Sequence, residues 1–182
     1  MRIIAGSLGG RILIAPSSLP VRPTTDYAKS GLFNILANKI SFDGLEVLDL
    51  FCGAGGVTFE FASRGAAEVV SVDRHPGCVG FVRETAKGFG ITSVRTVKAD
   101  VIKFLRQPAT KAFDIVFADP PFDIKDRPLL PELVLKNGWV KPGGLFILEH
   151  PSSEDNEYQS PGIENRRYGN CSFAFFHQPG TD

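Results

Sequence analysis

Asp119-Pro120-Pro121-Phe122 is the segment of the chain richest in chemistry. It follows directly on Phe113-Asp114-Ile115-Val116-Phe117-Ala118, a run apolar enough to be a buried strand. Two consecutive prolines can neither continue that strand nor lie inside a helix, so they hold the chain extended and rigid. The Asp119 carboxylate and the Pro120 carbonyl then stand at a fixed separation as two proton acceptors, beside the flat apolar face of Phe122. Such a set suits the handling of an exocyclic amine on a purine or cytosine, a poor nucleophile because its lone pair is delocalised into the ring. The amine must be held in line with an electrophile while its protons are accepted. Stacking of the base on Phe122 would contribute roughly 1–3 kcal/mol. A rigid turn with a capping Asp is the bland alternative, and the position just after a strand weighs against it.

A second cluster begins at Asp49-Leu50-Phe51-Cys52-Gly53-Ala54-Gly55-Gly56, where a first strand should hand over to a first helix. Ligands of open parallel sheets bind in that crevice, and glycines there let the backbone come close to a cofactor. A dinucleotide uses the same turn with the pattern G-x-G-x-x-G, but Thr58 stands where the third glycine belongs, which favours a ligand without a pyrophosphate. Asp73 closes the next strand, 24 positions after Asp49, where a carboxylate can accept hydrogen bonds from ribose hydroxyls. NAD and S-adenosylmethionine both carry such hydroxyls. Asp100 follows the third strand in Lys98-Ala99-Asp100, a place that suits either a cofactor contact or a helix cap.

These residues need a frame, and the hydrophobic pattern supplies one. Strands are predicted at 47–51, 69–72, 94–97, 113–118 and 144–149, and helices at 57–64, 78–89, 101–105 and 129–136. Strand and helix in regular alternation mean a parallel sheet covered on both faces, because each parallel step needs a right-handed crossover. Residues 151–157 read as a polar loop, and 163–168 with 171–176 as an antiparallel pair around Gly169-Asn170. At the front, Arg2-Ile3-Ile4 and Arg11-Ile12-Leu13-Ile14 are expected to form a small hairpin, followed by a helix over 27–40 with Asp26 or Thr25 as N-cap.

The three acids and the glycine loop together resemble the class I methyltransferase pattern, and [DNS]-P-P-[FYW] resembles the motif of amino methyltransferases acting on adenine N6, cytosine N4, guanine N2 or glutamine amides. Arg2-Ile3-Ile4-Ala5-Gly6, Gly9-Gly10-Arg11, Arg22-Pro23-Thr24-Thr25-Asp26, Leu32-Phe33-Asn34-Ile35-Leu36 and Ser63-Arg64-Gly65-Ala66 narrow this. With them the chain resembles the bacterial 16S rRNA guanine-N2 methyltransferase family, from Met1 to Arg166-Arg167-Tyr168-Gly169. The resemblance implies an α/β, Rossmann-like class I methyltransferase fold. Its sheet has seven mostly parallel strands with helices on both faces, ends in an antiparallel hairpin, and is preceded by a small N-terminal β-hairpin and helix. It implies S-adenosyl-L-methionine as cofactor, held by Thr25, Asp49, Phe51, Cys52, Gly53, Gly55, Asp73, Arg74, Asp100, Val101 and Asp119. Asp119, Pro120, Pro121 and Phe122 would be catalytic, and Arg2, Arg11, Arg22, Thr24, Asp26 and Lys29 would meet RNA. Because the sulfonium already activates the methyl group, positioning and polarisation are most of what the protein must add, with no metal and no covalent nucleophile. The family commonly has Arg-Glu where this chain has Lys29-Ser30, and Lys cannot make the bidentate contact of Arg.

With 182 residues, one globular domain is expected, 1–40 being an extension and 41–182 a catalytic core. The net charge of +0 gives no global push toward nucleic acid, but residues 1–40 carry Arg2, Arg11, Arg22, Lys29 and Lys39 against Asp26 alone. A 16S rRNA partner within an assembling 30S particle would meet that segment. Cys52, Cys78 and Cys171 form no metal-type pair, and His75, His150 and His177 read as structural or exposed. No signal peptide or membrane span is legible, so a reduced cytoplasm is the expected location, with no membrane and no metal. The rival readings are a DNA adenine-N6 or other RNA amino methyltransferase, a non-catalytic ribosome-assembly factor and a nicotinamide oxidoreductase. The first would want a target-recognition domain for which there is little room; the second has no need of Asp-Pro-Pro-Phe; the third is opposed by Thr58.

Overall fold

The computed structural model describes residues 1–21 and 25–180. Its helices are α1 (Asp26–Ala37), α2 (Gly56–Ser63), α3 (Pro76–Gly88), α4 (Val101–Leu105) and α5 (Leu130–Lys136). Its strands are β1 (Glu46–Leu50), β2 (Glu68–Asp73), β3 (Val94–Lys98), β4 (Phe113–Ala118), β5 (Val140–Pro151), β6 (Ile163–Tyr168) and β7 (Cys171–His177). They form one seven-stranded sheet in the order β3-β2-β1-β4-β5-β7-β6. Pairing is parallel through β5, and β7 runs antiparallel to both β5 and β6. This is the mostly parallel sheet with an antiparallel end that the resemblance implies.

Alternation along each strand divides the core into two layers. Leu48, Leu50, Val116, Phe146 and Leu148 face α4 and α5, whereas Val47, Ile115, Phe117 and Ile147 face α1 and α2. A third cluster packs Ile3, Leu8 and Leu13 on Phe59 and Val82, which fixes the N-terminal segment to α2 and α3. Among the described residues no helix is long and apolar enough to cross a membrane.

Three expected elements differ. The N-terminal hairpin is a short pair with one isolated bridge, Arg2 to Ile12, across which the Ile3 N–H donates to the Arg11 carbonyl (2.9 Å) and the Leu13 N–H to the Met1 carbonyl (2.8 Å), while the outward-facing Ile4 N–H donates to Glu60 Oε1 (2.5 Å). Residues 151–157 are not a loop: β5 runs on to Pro151 and a 3-10 helix follows over Ser152–Tyr158. β5 also starts early, at Val140, with a register shift opposite Phe113 to Ile115. The N-cap of α1 is Thr25, whose side chain accepts from the Ala28 N–H at 3.2 Å.

Lys29 is a correction to the expected RNA surface. It is fully buried, its Nζ donating to the Arg2 carbonyl and lying 3.3 Å from Glu60 Oε1. Glu60 is buried as well and also pairs with Arg64 at 3.4 Å. The pair therefore ties α1, α2 and the N-terminal segment together. Its signal lay in the apolar spacing Lys29, Leu32, Phe33 and Leu36, which puts Lys29 on the core face of α1. Without Lys29, the buried Glu60 carboxylate keeps only Arg64 and the Ile4 N–H as partners. Lys29→Met is therefore expected to lower unfolding free energy in urea by about 3 kcal/mol, the low end of the range for a broken buried pair, and to leave the salt dependence of RNA binding unchanged.

Candidate active site

Parallel strands leave their C-terminal ends open at one edge, and the two sequence clusters meet there. Phe51 turns off β1 with φ 59°, a left-handed conformation uncommon outside glycine and a strained one for so bulky a residue. Gly53 (φ 52°) and Gly55 (φ 79°) continue the turn. A Cβ on Gly55 would come within 2.8 Å of the Phe59 ring and 2.9 Å of Val82, so the loop lies close against α2 and α3. Asp73, at the end of β2, accepts from the N–H groups of Gly53 (3.0 Å) and His75 (2.8 Å). Each of its oxygens keeps a second lone pair for a ligand hydroxyl.

Asp49 is buried under this loop. Thr58 Oγ1 donates to Asp49 Oδ2 (2.5 Å) and lies 2.8 Å from Ser71 Oγ. The residue that breaks the dinucleotide pattern thus orients the first acid. Burial pushes the Asp49 carboxyl up to about 7; Thr58 opposes the rise, and the nearby Asp73 charge adds to it. A pKa higher in the folded than in the unfolded chain means that the folded state binds the proton more tightly. The associated stability is present below 3.8 and lost as pH rises through about 7. Asp49→Asn is expected to flatten that slope in urea titrations across the window, the change amounting to a few kcal/mol on the order-of-magnitude scale of such shifts.

On the other side of the opening, Asp119 is half-buried, Pro120 buried and Phe122 exposed. The loop is held from behind by Arg127, which no sequence pattern singles out. Its guanidinium is buried and donates to the carbonyls of Pro121 (3.0 Å) and Phe122 (2.5 Å) and to both oxygens of Glu154 (2.6 and 2.5 Å). Glu154 lies on the 3-10 helix after β5, so that unexpected element anchors the loop. His150, fully buried, bonds Asn165 Oδ1 at 3.1 Å, and Asn165 reaches Asp155 of the same 3-10 helix at 3.1 Å, fixing the helix to β6.

One cavity of about 650 Å³ joins the two clusters. Of the expected cofactor residues, Thr25, Asp49, Phe51, Cys52, Gly53, Asp73, Arg74 and Asp119 line it; all four residues of the Asp-Pro-Pro-Phe loop do so too. Gly55 shapes the turn from beneath. Asp100 and Val101 do not line it: Asp100 caps α4 by accepting from the Lys103 N–H at 3.0 Å, and Val101 is buried in the core. Arg2, Arg11 and Asp26 are exposed; Arg11 stacks over Phe89 at 4.8 Å, and Arg2 lies 3.9 Å from Asp26. Arg22 and Thr24 lie outside the described residues. The cavity adds residues the sequence reading did not name, chief among them Glu149, Tyr27, Tyr168 and Asn170. Tyr27 and Tyr168 meet edge to face at 5.7 Å and line the same cavity as Phe122.

This architecture has known counterparts. The family model described as "Conserved hypothetical protein 95" matches residues 1–177. The chain is 35% identical over 152 residues to "Ribosomal RNA small subunit methyltransferase D" of Escherichia coli, covering 82% of this chain and 74% of that protein. It is 32% identical over 164 residues to "Putative rRNA methyltransferase YlbH" of Bacillus subtilis, covering 88% and 86%. Among solved structures, "Putative methyltransferase yhhF" from Escherichia coli superposes with a TM-score of 0.83 at 26% identity, covering 100% of this chain and 99% of that one.

Proposed function

This chain belongs to the Conserved hypothetical protein 95 family, alongside the ribosomal RNA small subunit methyltransferase D proteins it resembles, and we propose that it methylates the exocyclic N2 amine of a guanine in 16S rRNA. It is an S-adenosylmethionine-dependent rRNA methyltransferase of the Rossmann-like class I fold. The observation that carries methylation of an exocyclic amine is the shared cavity, in which a rigid pair of acceptors beside an aromatic face opens directly onto the glycine loop and its acids; the narrowing to guanine N2 rests on the resemblance of Arg22 to Asp26 and their neighbours to the 16S rRNA guanine-N2 methyltransferases.

The residues present fit the cofactor. The loop brings backbone close to a ligand without side chains in the way, Asp73 has lone pairs left for ribose hydroxyls, and Asp49 is a buried acid that a cationic ligand would return to its charged form. S-adenosylmethionine supplies a methyl group already activated by its sulfonium. The chain's own part is to orient and to accept protons. Asp119 and the Pro120 carbonyl hold the two hydrogens of the amine, which aims its lone pair out of the base plane. Phe122 stacks on that plane, and the rigid Pro-Pro segment keeps the acceptors from relaxing away. Asp119 lowers the barrier further by stabilising positive charge that develops on the amine nitrogen.

We assign the whole of residues 1–182 to one catalytic domain, with the exposed Arg2 and Arg11 on the RNA side and small-subunit rRNA as partner. The test is to map N2-methylguanine in 16S rRNA from cells with and without this gene. One guanine should lose its N2-methyl group on deletion and regain it on complementation. Loss of a methyl from an adenine, a cytosine or another guanine atom would overturn the N2 assignment.

A further inference from the structure

The acceptors that hold an amine do not say which amine it is, because adenine N6, cytosine N4 and guanine N2 all present two hydrogens. What differs is the ring nitrogen on the Watson–Crick side of the amine. Guanine carries a hydrogen there, on N1; adenine N1 and cytosine N3 carry a bare lone pair. A group that reads this atom has to sit next to the group that holds the amine.

Glu149 occupies that position. In the parallel register Ala118 pairs with Leu148, so Asp119, the first residue past β4, and Glu149 of β5 come next in line on chains whose spacing within the sheet is about 4.8 Å. Glu149 lies on the same face as Ile147, as Phe117 does on β4 and Asp49 on β1, and all of Asp49, Phe117, Asp119 and Glu149 line the one cavity. It is only 5% exposed, set between β4 and Phe173 of β7, and Tyr168 and Asn170 line the same cavity. A buried carboxylate in the middle of a sheet is costly and is kept where it has hydrogen-bonding work. A carboxylate offers about four lone-pair sites, so one that lines the cavity can bond within the protein and accept from a ligand as well.

Building on the proposed function, we infer that Glu149 is the specificity-determining residue of the site, accepting the guanine N1–H while Asp119 accepts from the adjacent N2 amine. Two neighbouring carboxylates thus match two neighbouring donors. Adenine or cytosine would bring a lone pair against the Glu149 carboxylate, and the buried acceptor would lose its partner to no compensation.

The probe is 2-aminopurine, which keeps the 2-amino group but has no hydrogen on N1. The mapped target guanine in 16S rRNA would be replaced by it through ligation of a synthetic segment, and methyl transfer measured on reconstituted particles. Wild-type protein should prefer guanine by at least about tenfold in kcat/KM, the discrimination expected of a hydrogen bond to a charged group. In Glu149→Gln the amide can donate to the bare N1, so the preference should shrink by about tenfold. Loss of O6 in the analogue weighs equally on both proteins, and a merely structural role for Glu149 would not change the ratio. Equal use of both bases by wild type, or the same preference in wild type and variant, would overturn the role of Glu149. Since the wild type carries the first comparison, an unstable variant does not remove the test; Glu149→Asp, which keeps the charge, should keep the preference at a lower rate. Failure of wild type to form N2-methylguanine on the guanine particle would instead remove the N2 reading itself, and this inference with it.

Discussion

Asp119→Ala should slow methyl transfer by about 10²–10⁴-fold, the range for loss of a positioned acid–base group, while cofactor affinity stays within a few fold. The two halves of this result follow from the division of the cavity. Asp119 lies at the end of β4 beside Glu149, whereas Gly53, Asp73 and the buried Asp49 sit on β1, β2 and the turn between β1 and α2. Removing the carboxylate deletes one of the two acceptors for the amine and leaves the glycine loop intact. Asp119→Asn should retain more activity than Asp119→Ala, because the amide oxygen still accepts one hydrogen. Labelled methyl transfer to reconstituted particles reads the rate and calorimetry reads cofactor binding. Undiminished turnover in Asp119→Ala would take Asp119 out of the mechanism.

Arg127→Met is expected to act twice, on stability and on rate. The guanidinium is 4% exposed and joins two loop carbonyls to the Glu154 carboxylate. Without it those acceptors face each other with nothing between them. Breaking such a pair costs about 3 kcal/mol, the low end of the range for buried pairs because Glu154 is partly exposed. In a chain of this size that is a fall in Tm of roughly 6–12 °C. The loop would also lose its fixed position, and a displacement of about 1 Å costs on the order of 10²-fold in rate. Arg127→Lys should recover little of either, because one point charge cannot span two carbonyls and a bidentate carboxylate. The pair Arg127→Met with Glu154→Leu separates the effects: it should recover most of the stability but not kcat. Recovery of kcat along with stability would show that Arg127 only holds the fold together.

Both variants depend on residues of very different visibility. Asp119-Pro120-Pro121-Phe122 is contiguous, and two prolines after an apolar run restrict the backbone wherever they occur, so the loop could be read without coordinates. The same holds for Gly53 and Gly55, whose positive φ values only glycine adopts at little cost, and for the strands, since an alternating or continuous apolar run is a local property. Asp100 was ambiguous for the same reason: a carboxylate after a strand caps a helix as readily as it binds a ligand, and the structure shows the cap.

The order of elements, the two loops at the strand ends and the kind of chemistry those loops can do are therefore legible in the local pattern of residues. Each depends on residues within a few positions of one another. The tertiary structure alone decided which distant residues share a site. Glu149 comes beside Asp119 only through the register of β4 with β5, Arg127 meets Glu154 across 27 positions, and Lys29 is drawn from solvent to core by Glu60 on another helix. A charged side chain carries no local mark of its partner. Whether it lies at the surface, holds a loop or reads a base is settled by what the fold places within hydrogen-bonding reach, and that is a property of the packed chain.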